Sequence, residues 1–456
     1  MFRQRLSGTI LKNAKIIREG VKKEMFATQK VRLKKLSQTE YEAMCLLHRY
    51  AKNLYNVALY ALRQHYFATG KLLSFTKLYH QCKTNENYHL IQAGVSQQIL
   101  KSAHEAMKAF LALSRKVSLG QYPAEKVKIP KYLTKDGYYQ LPCSTNAITV
   151  HDGYFHVPLS NRFTKEHHGL TIMIRIPNRI AGKSIREVRL NPLHQARFLE
   201  AEFVYETVES THPVRTETLA LDPGVNTLAA GISTVGTAFL IDGKRLKAEN
   251  QWYNKERSRL QSMKDLQGIK GETNKLALIA YNRENFIRDC LSKAGHLVLQ
   301  HCLDNKIGRV VVGVNSGWKQ EINIGHVNNQ NFVQIPFWKF RRFLKYLCEK
   351  NGIEYIEITE SYTSKASFLD RDELPEYDPE RTDKPVFSGR RIKRGLYRSA
   401  NGQTVNADLN GAANILRKAL PDAELSLVDR ALCLNPTRLY PLATVKKRTL
   451  KSKAAA

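Results

Sequence analysis

Acidic residues are scarce in this 456-residue chain. Asp and Glu number 41 against 72 Lys and Arg, which leaves a net charge of +31. An acidic, self-solvating chain is excluded, and a polyanionic partner is implied, because each phosphate neutralised by Lys or Arg releases condensed counterions. Solubility alone is the plainer reading of the same excess. Cys-x-x-Cys is absent, so neither a zinc ribbon nor a redox pair is encoded. The seven cysteines are odd in number and widely spaced, as fits small apolar fillers in a reducing interior. No apolar run approaches the roughly 20 residues that span a bilayer, so no membrane partner is expected. The first 25 residues lack a secretory apolar core and a small-residue cleavage site. They read as a basic arm, or as an over-extended start with Met25 as the first residue. What remains is ordinary: 43% hydrophobic and 25% charged residues exclude disordered and fibrous classes. The length suits about two or three domains.

The first half mixes helix and strand. Lys30 to Lys35 alternate basic and apolar residues, as in a strand. Ser37 and Glu40 form a capping-box signature ahead of a long periodic stretch. Leu54, Val57, Ala58, Ala61 and Leu62 share one helical face, and Ile99, Ala103, Met107, Phe110 and Leu113 share another. β-formers then flank Asp152-Gly153, the chemistry of a tight hairpin. Leu199, Ala201, Phe203 and Tyr205 fall on one side of a strand. Residues 26–36 and 119–208 therefore read as a β-barrel or sandwich, interrupted by a helical lobe at 37–118. The stretch around Ser210 to Pro213 is the expected boundary.

The second half reads as α/β. A strand ends at Asp222, a hairpin turns at Val235-Gly236, and a long charged segment follows with Leu276, Ile279, Phe286, Ile287 and Cys290 at helical spacing. IGRVVVG is a buried strand, IPFWKFRRFLKYLCEKNG a helix, IEYIEIT the next strand and NADLNGAANILRKAL the last helix, separated from that strand by an irregular basic segment. The order β-β-β-α-β-α-β-α is that of a ribonuclease-H-like fold over residues 216–420, with a helical insert at about 246–303. The tail at 421–456 is expected to be basic and loosely held.

Three carboxylates fall at element ends. Two-metal phosphodiester cleavage needs several acids converging on two Mg2+ about 3.5–4 Å apart, and hard oxygen ligands suit that ion. Asp222 ends the first strand, where Pro-Gly turns the chain and leaves its carboxylate free; taken alone, such an Asp is more often a turn former. Asp408 opens the last helix; taken alone, it reads first as an N-cap or first-turn acid favoured by the helix dipole. After the fourth strand stand Gly313 and Asn315, neither an anionic ligand, whereas the next strand ends in Glu360. Adjacent strands lie about 4.8 Å apart, so Glu360 is within reach of the same ion pair. Glu354, Glu357 and Asp370 compete with it. Glu357 alternates with Ile356 and Ile358 and is the weaker choice.

With these residues in view the chain resembles the TnpB (transposon OrfB) family of RuvC-type nucleases, related to compact type V CRISPR effectors. The resemblance rests on LALDPGVNTLAAGIS, VGVNSGWKQEINIGHVNNQNFVQIPFWKF, TESYTSKASFLD, FSGRRIKRGLYRSANG and VNADLNGAANILRKA, which cover most of the chain after about residue 216. The N-terminal half resembles, more loosely, the family's wedge barrel with an inserted recognition lobe. The resemblance implies RNA-guided DNA cleavage. A guide non-coding RNA pairs with target double-stranded DNA beside a short adjacent motif, and a RuvC-like centre cuts. It assigns Asp222 and Asp408 as catalytic acids and metal ligands, for two Mg2+ with Mn2+ as a substitute. Gly313 departs from the usual glutamate, which resembles the subgroup where the glutamate of the TESYTSK segment, here Glu360, takes that place. The family's zinc ribbon is also missing, so no zinc is expected. A basic stretch at 371–405 with Arg390, Arg391, Lys393, Arg394 and Arg398 stands there instead.

The basic and aromatic residues near this centre fit nucleic acid. Trp318 and Lys319, followed by Asn328 to Asn331, supply stacking and polar groups, although Trp318 equally reads as a core or hinge aromatic. Lys365 reads as a phosphate contact or as a solvated side chain. Two other functions compete with cleavage: a guide-programmed repressor without nuclease activity, and a DNA-joining transposase. The resemblance further implies a separate transposase of the same element as a partner, and a prokaryotic, nucleoid-associated cytoplasmic setting.

Overall fold

The computed structural model describes residues 24–208, 215–314, 335–376, 385–393, 395–433 and 435–442. The chain divides into two compact units, Met1–Val208 and Glu209–Ala456.

In the first unit, strand β1 (Glu24–Arg32) leads into helix α1 (Gln38–Thr69). Ser37 caps that helix: its hydroxyl accepts from the Glu40 N–H at 3.2 Å, and the Glu40 carboxylate accepts from the Ser37 N–H at 2.7 Å. Helices α2 (Phe75–Cys82), α3 (Glu86–Leu90) and α4 (Ala93–Ser118) follow. The predicted stripes lie inward, with Leu54, Ala58, Leu62, Ile99, Ala103 and Met107 fully buried. Burying each large apolar side chain contributes roughly 1.5–3 kcal/mol. Strands β2 (Leu141–Ser144), β3 (Thr149–His151), β4 (Tyr154–His156), β5 (Met173–Arg175), β6 (Ile185–Leu193) and β7 (Phe198–Val208) complete the unit, with the short helix α5 (Asn161–Glu166) after β4. Asp152 and Gly153, at φ 48° and 77°, make the β3–β4 turn. The strands form two antiparallel sheets, ordered β1-β7-β6-β2 and β3-β4-β5. Phe155 and Phe203 meet edge to face across the core between them, 6.2 Å apart.

One buried group in this unit makes stability depend on pH. His48 is wholly buried on α1 and holds Nδ1 2.7 Å from the Tyr139 carbonyl, while its Nε2 has no hydrogen-bond partner among the described residues. Burial pushes its pKa down to about 4 from the ordinary 6.5. Above pH 6.5 both folded and unfolded chains keep His48 neutral. Between 6.5 and 4 the unfolded chain takes up a proton that the folded one refuses, so stability falls on acidification by up to about 3 kcal/mol. His48→Asn keeps an amide donor near Nδ1 but does not titrate. Urea unfolding at pH 7.5 and 5 is expected to show a shallower acid loss for this variant. Equal losses in both proteins would refute the assignment.

The second unit is built on a six-stranded sheet. Its strands are β8 (Glu217–Asp222), β9 (Thr227–Ser233), β10 (Ala238–Asp242), β11 (Ile307–Val314), β12 (Glu354–Thr359) and, last in the chain, β16 (Thr437–Leu439), in the order β12-β11-β8-β9-β10-β16. β12, β11 and β8 run parallel, β9 is antiparallel to β8 and β10, and β16 adds parallel to β10. Successive residues of a strand face opposite sides, and two cores result. Leu219, Leu221, Val310 and Val312 pack with helices α7 (Asn274–Asp304) and α8 (Phe337–Lys350). Ala220, Ala230, Ile232 and Val311 pack with helices α9 (Ala407–Ala419) and α10 (Ser426–Cys433). Cys290, Cys302 and Cys348 are free and buried in the first of these cores.

Three details differ from the sequence reading. The long charged segment is two helices, α6 (Lys244–Leu266) and α7, separated by a stretch with Gly268 and Gly271 at positive φ. The irregular basic segment contains a three-stranded meander, β13 (Arg390–Lys393), β14 (Leu396–Arg398) and β15 (Thr404–Asn406). Residues after Pro421 are not a loose tail throughout. Val428, Ala431 and Leu432 of α10 are buried, and β16 joins the main sheet.

Candidate carboxylate centre

The face of the sheet that receives α9 carries the acids. Asp222 has the same parity as Ala220, so it faces that helix from the end of β8. Its Oδ2 lies against the α-carbon of Gly411, where a Cβ would have no room. Gly411 stands three residues after Asp408, on the same side of the first turns of α9. Asn406 caps the helix by accepting from the N–H groups of Asp408 (3.0 Å) and Leu409 (3.1 Å). The Asp408 carboxylate is thereby held at the helix start. Its Oδ2 accepts from the Thr227 hydroxyl at 2.7 Å and its Oδ1 from Arg391 at 3.1 Å.

Glu360 arrives from the neighbouring strand. β12 pairs with β11 so that Gly313 faces Ile358 and Val314 faces Thr359, and the Glu360 N–H extends this ladder to the Val314 carbonyl at 3.1 Å. Its side chain lies over Gly313. A Cβ on residue 313 would stand 2.5 Å from Glu360 Oε1 and 2.6 Å from its Cγ, well inside contact distance. The glycine where the sequence lacks an acid is thus the space that Glu360 fills. Glu357 lies in register with Val312, whose side chain belongs to the α8 core. There it accepts from Tyr355 at 2.9 Å and pairs with Arg341 at 3.2 Å.

The electrostatics centre on Asp222. Burial raises its pKa well above the carboxylate range; Glu360 and Asp408 raise it further, and Arg391 opposes them. Burial also pushes Glu360 up to about 7, against the lowering effect of Arg341. Glu360 Oε1 is buried without a hydrogen-bond partner among the described residues. Like charges forced together in a desolvated site favour protonation unless a cation neutralises them. The three acids share one electrostatic neighbourhood. They are not a preformed ligand set: among the described residues no group of three or more His, Cys, Asp or Glu is arranged to hold a metal ion. The engagement of both Asp408 oxygens by Thr227 and Arg391 accords with this.

Two residues unnoticed in the sequence fix the arrangement. Asn410 and Asn414 are wholly buried on α9 and grip the turn that follows Glu360. Asn410 donates to the Ala366 carbonyl (2.8 Å) and accepts from the Phe368 N–H (3.0 Å). Asn414 donates to the carbonyls of Thr363 (2.9 Å) and Ala366 (2.8 Å). Two amides four residues apart among alanines in NGAAN were the available signal, since buried amides require partners. Of the other predicted residues, Arg391 joins Asp408, while Lys365 is exposed with Nζ 6.0 Å from the Tyr362 ring centroid. Arg390, Lys393 and Arg398 are exposed on β13 and β14. Trp318, Lys319, Asn328 to Asn331 and Arg394 lie outside the described residues.

Comparison with known proteins finds likenesses along most of the chain. A family model named OrfB_IS605 and described as a probable transposase matches residues 202–319, and the Cas12f1-like TNB domain matches residues 337–415. The TnpB-like protein ORF457 of Acidianus two-tailed virus is 20% identical over 431 residues, spanning 88% of this chain and 89% of that protein. A chain in the cryo-EM structure of a Cas12f1–sgRNA–target DNA complex superposes with a TM-score of 0.55 at 14% identity, over 83% of each chain. The fold is therefore the mixed α/β, multi-domain one seen in the Cas12f1 chain. The two family models and the curated relative together support a TnpB-type family for this chain.

Proposed function

We propose that this chain is an RNA-guided DNA endonuclease whose second unit is a ribonuclease-H-like, RuvC-type nuclease domain. The observation that carries the reading is Glu360 lying over Gly313, on the sheet face where Asp222 abuts Gly411 beside Asp408. In this reading Asp222, Glu360 and Asp408 would hold the metal. Their donors are all hard carboxylate oxygens, and a buried, unpartnered Oε1 together with raised pKa values is what a divalent cation would relieve. When bound, Mg2+, or Mn2+ in its place, supplies Lewis-acid activation of water and stabilisation of the leaving oxygen. The chain's own contribution is positioning. Thr227 and the Asn406 cap orient Asp408, Asn410 and Asn414 seat the turn after Glu360, and Gly313 and Gly411 admit the carboxylates.

Arg390, Arg391, Lys393, Arg398 and Lys365 would contact the phosphates of the nucleic acid, and base pairing with a guide RNA would supply sequence choice. The first unit would act as wedge and recognition lobe. The setting would be a prokaryotic cytoplasm; a separate transposase has no support in the fold or the relatives. No described helix is long and apolar enough to cross a membrane.

Two observations favour the repressor reading: Arg391 pairs with Asp408, and among the described residues the acids are not gathered as ligands. A single experiment separates the readings. The protein is expressed with its flanking DNA, co-purified RNA is sequenced, and plasmids bearing a randomised motif beside the matching target are supplied with Mg2+ or EDTA. The nuclease reading expects a defined RNA and Mg2+-dependent cutting. Defined RNA with guided binding but no cutting supports the repressor, and absence of any defined RNA overturns both.

A further inference from the structure

The first unit contains a cavity of about 320 Å3 that none of the chemistry above uses, lined among others by Tyr132, Thr134, Tyr138, Pro192, Gln195 and Ala196. One wall is the connection from α4 to β2, and the other is the turn from β6 to β7. Each tyrosine carries a guanidinium over its ring. Arg63 lies 4.7 Å from the Tyr132 centroid and Arg49 lies 5.3 Å from that of Tyr138. Both arginines are anchored, Arg63 on the Pro130 carbonyl at 3.2 Å and Arg49 on the Tyr138 hydroxyl at 3.3 Å. Neither arginine lines the cavity. Both tyrosines line the cavity, each with a guanidinium held at its ring by an arginine outside the lining.

The opposite wall is strained. His194, Gln195 and Ala196 stand in succession at φ 49°, 57° and 60°, a left-handed run that glycine adopts freely and side-chain-bearing residues adopt at a cost. Bonds from Tyr41 to the Ala196 carbonyl (3.0 Å) and from Arg197 to the His194 carbonyl (3.1 Å) hold the turn. Backbone strain of this kind clusters at active sites and ligand clamps, and Gln195 is the polar residue of this turn that lines the cavity. The surroundings are cationic. Between residues 126 and 140 the chain has Lys126, Lys128, Lys131 and Lys135 against Asp136 alone, with Arg49, Arg63 and Arg197 added.

We infer that this cavity takes one unpaired nucleobase of a single-stranded nucleic acid, stacked on Tyr132 and Tyr138 and hydrogen-bonded along its edge by Gln195. Aromatic faces stack any base, and the surrounding cations neutralise the flanking phosphates. A glutamine amide offers a donor and an acceptor side by side, the pair complementary to the N6 and N7 edge of adenine, so adenine is preferred. RNA and DNA share this chemistry. The inference stands apart from the carboxylate centre and needs no cleavage.

The test uses the full chain in EDTA with ten-nucleotide RNA and DNA oligomers whose central base is 8-vinyladenine, a fluorescent base that keeps the N6 and N7 edge of adenine, or else adenine, uracil or thymine for comparison. Binding is expected to quench the fluorescence. The double variant Tyr132→Ala, Tyr138→Ala should bind about ten- to a hundredfold more weakly and lose the quenching, while the corresponding double Phe variant stays within about threefold of the parent. Gln195→Gly should relax the turn, leaving the melting temperature equal or higher, yet lower the preference for adenine over uracil or thymine at least about fivefold. A purely structural role for Gln195 would not separate those two readouts. Equal affinity of the double Ala variant and the parent, or fluorescence unchanged on binding, overturns the inference. If the double Ala variant does not fold, an unchanged base preference in Gln195→Gly overturns it instead. The relative affinity of the RNA and DNA oligomers assigns the source of the base.

Discussion

Asn in place of Asp222 is expected to lower guided DNA cleavage by at least about a thousandfold, or roughly 4 kcal/mol of transition-state stabilisation, with guided binding unchanged within about threefold. Asparagine preserves the shape that fits against Gly411 and removes only the charge. That charge is the one on which the centre converges, since Asp222 lies in the field of both Glu360 and Asp408. Its loss should not harm the fold. A desolvated carboxylate beside two others is an electrostatic cost in the protein without a cation, and neutralising it relieves like-charge repulsion. Thermal unfolding in EDTA should therefore show a melting temperature equal to or above the parent's. The combination of lost cleavage, retained binding and undiminished stability distinguishes an acid held for chemistry from one held for structure. Cleavage near the parent rate would remove Asp222 from the centre, and a marked fall in melting temperature would make it a structural residue.

The positions of these acids were readable to different depths, for physical reasons. Asp222 and Asp408 stand where local signals change: an apolar run stopped by Pro-Gly, and an Asn cap before a periodic helix. Such signals survive without knowledge of the tertiary fold. Glu360 was reachable because a parallel neighbour lies one strand spacing away, and the parity that sets Glu357 on the other face could be counted along the strand. What could not be counted was the meaning of Gly313. In sequence it is a missing acid, whereas in three dimensions it is an opening into which Glu360 reaches. Asn410 and Asn414 were opaque for a similar reason, because their partners are carbonyls about 50 residues away in sequence. The β13–β15 meander and β16 escaped because strands of three or four residues carry too little alternation to register. β16 in addition owes its place to pairing with β10, some 200 residues earlier.

The pair Glu360 and Gly313 therefore offers the sharper test of how the centre is built. Glu360→Gln is expected to reduce cleavage about a hundredfold or more, while Glu357→Gln, on the opposite face with Arg341 and Tyr355, stays within about twofold. Gly313→Ala should fall with Glu360→Gln although it removes no functional group. Its new methyl would stand 2.5 Å from Glu360 Oε1 and equally close to Ile415 Cδ1, so the carboxylate must leave its seat. Overpacking there should also lower stability by about 1–3 kcal/mol. Gly313→Glu alone places two acids in space for one and should be inactive. Combined with Glu360→Gly, it returns one acid to the same cavity from the adjacent strand and is expected to recover part of the activity lost in Glu360→Gly alone. Plasmid cleavage under one set of Mg2+ concentrations measures the whole series. If Glu360→Gln and Glu357→Gln prove equally active, the acid that works with Asp222 is neither of them, and Gly313 is a packing glycine with no bearing on the chemistry.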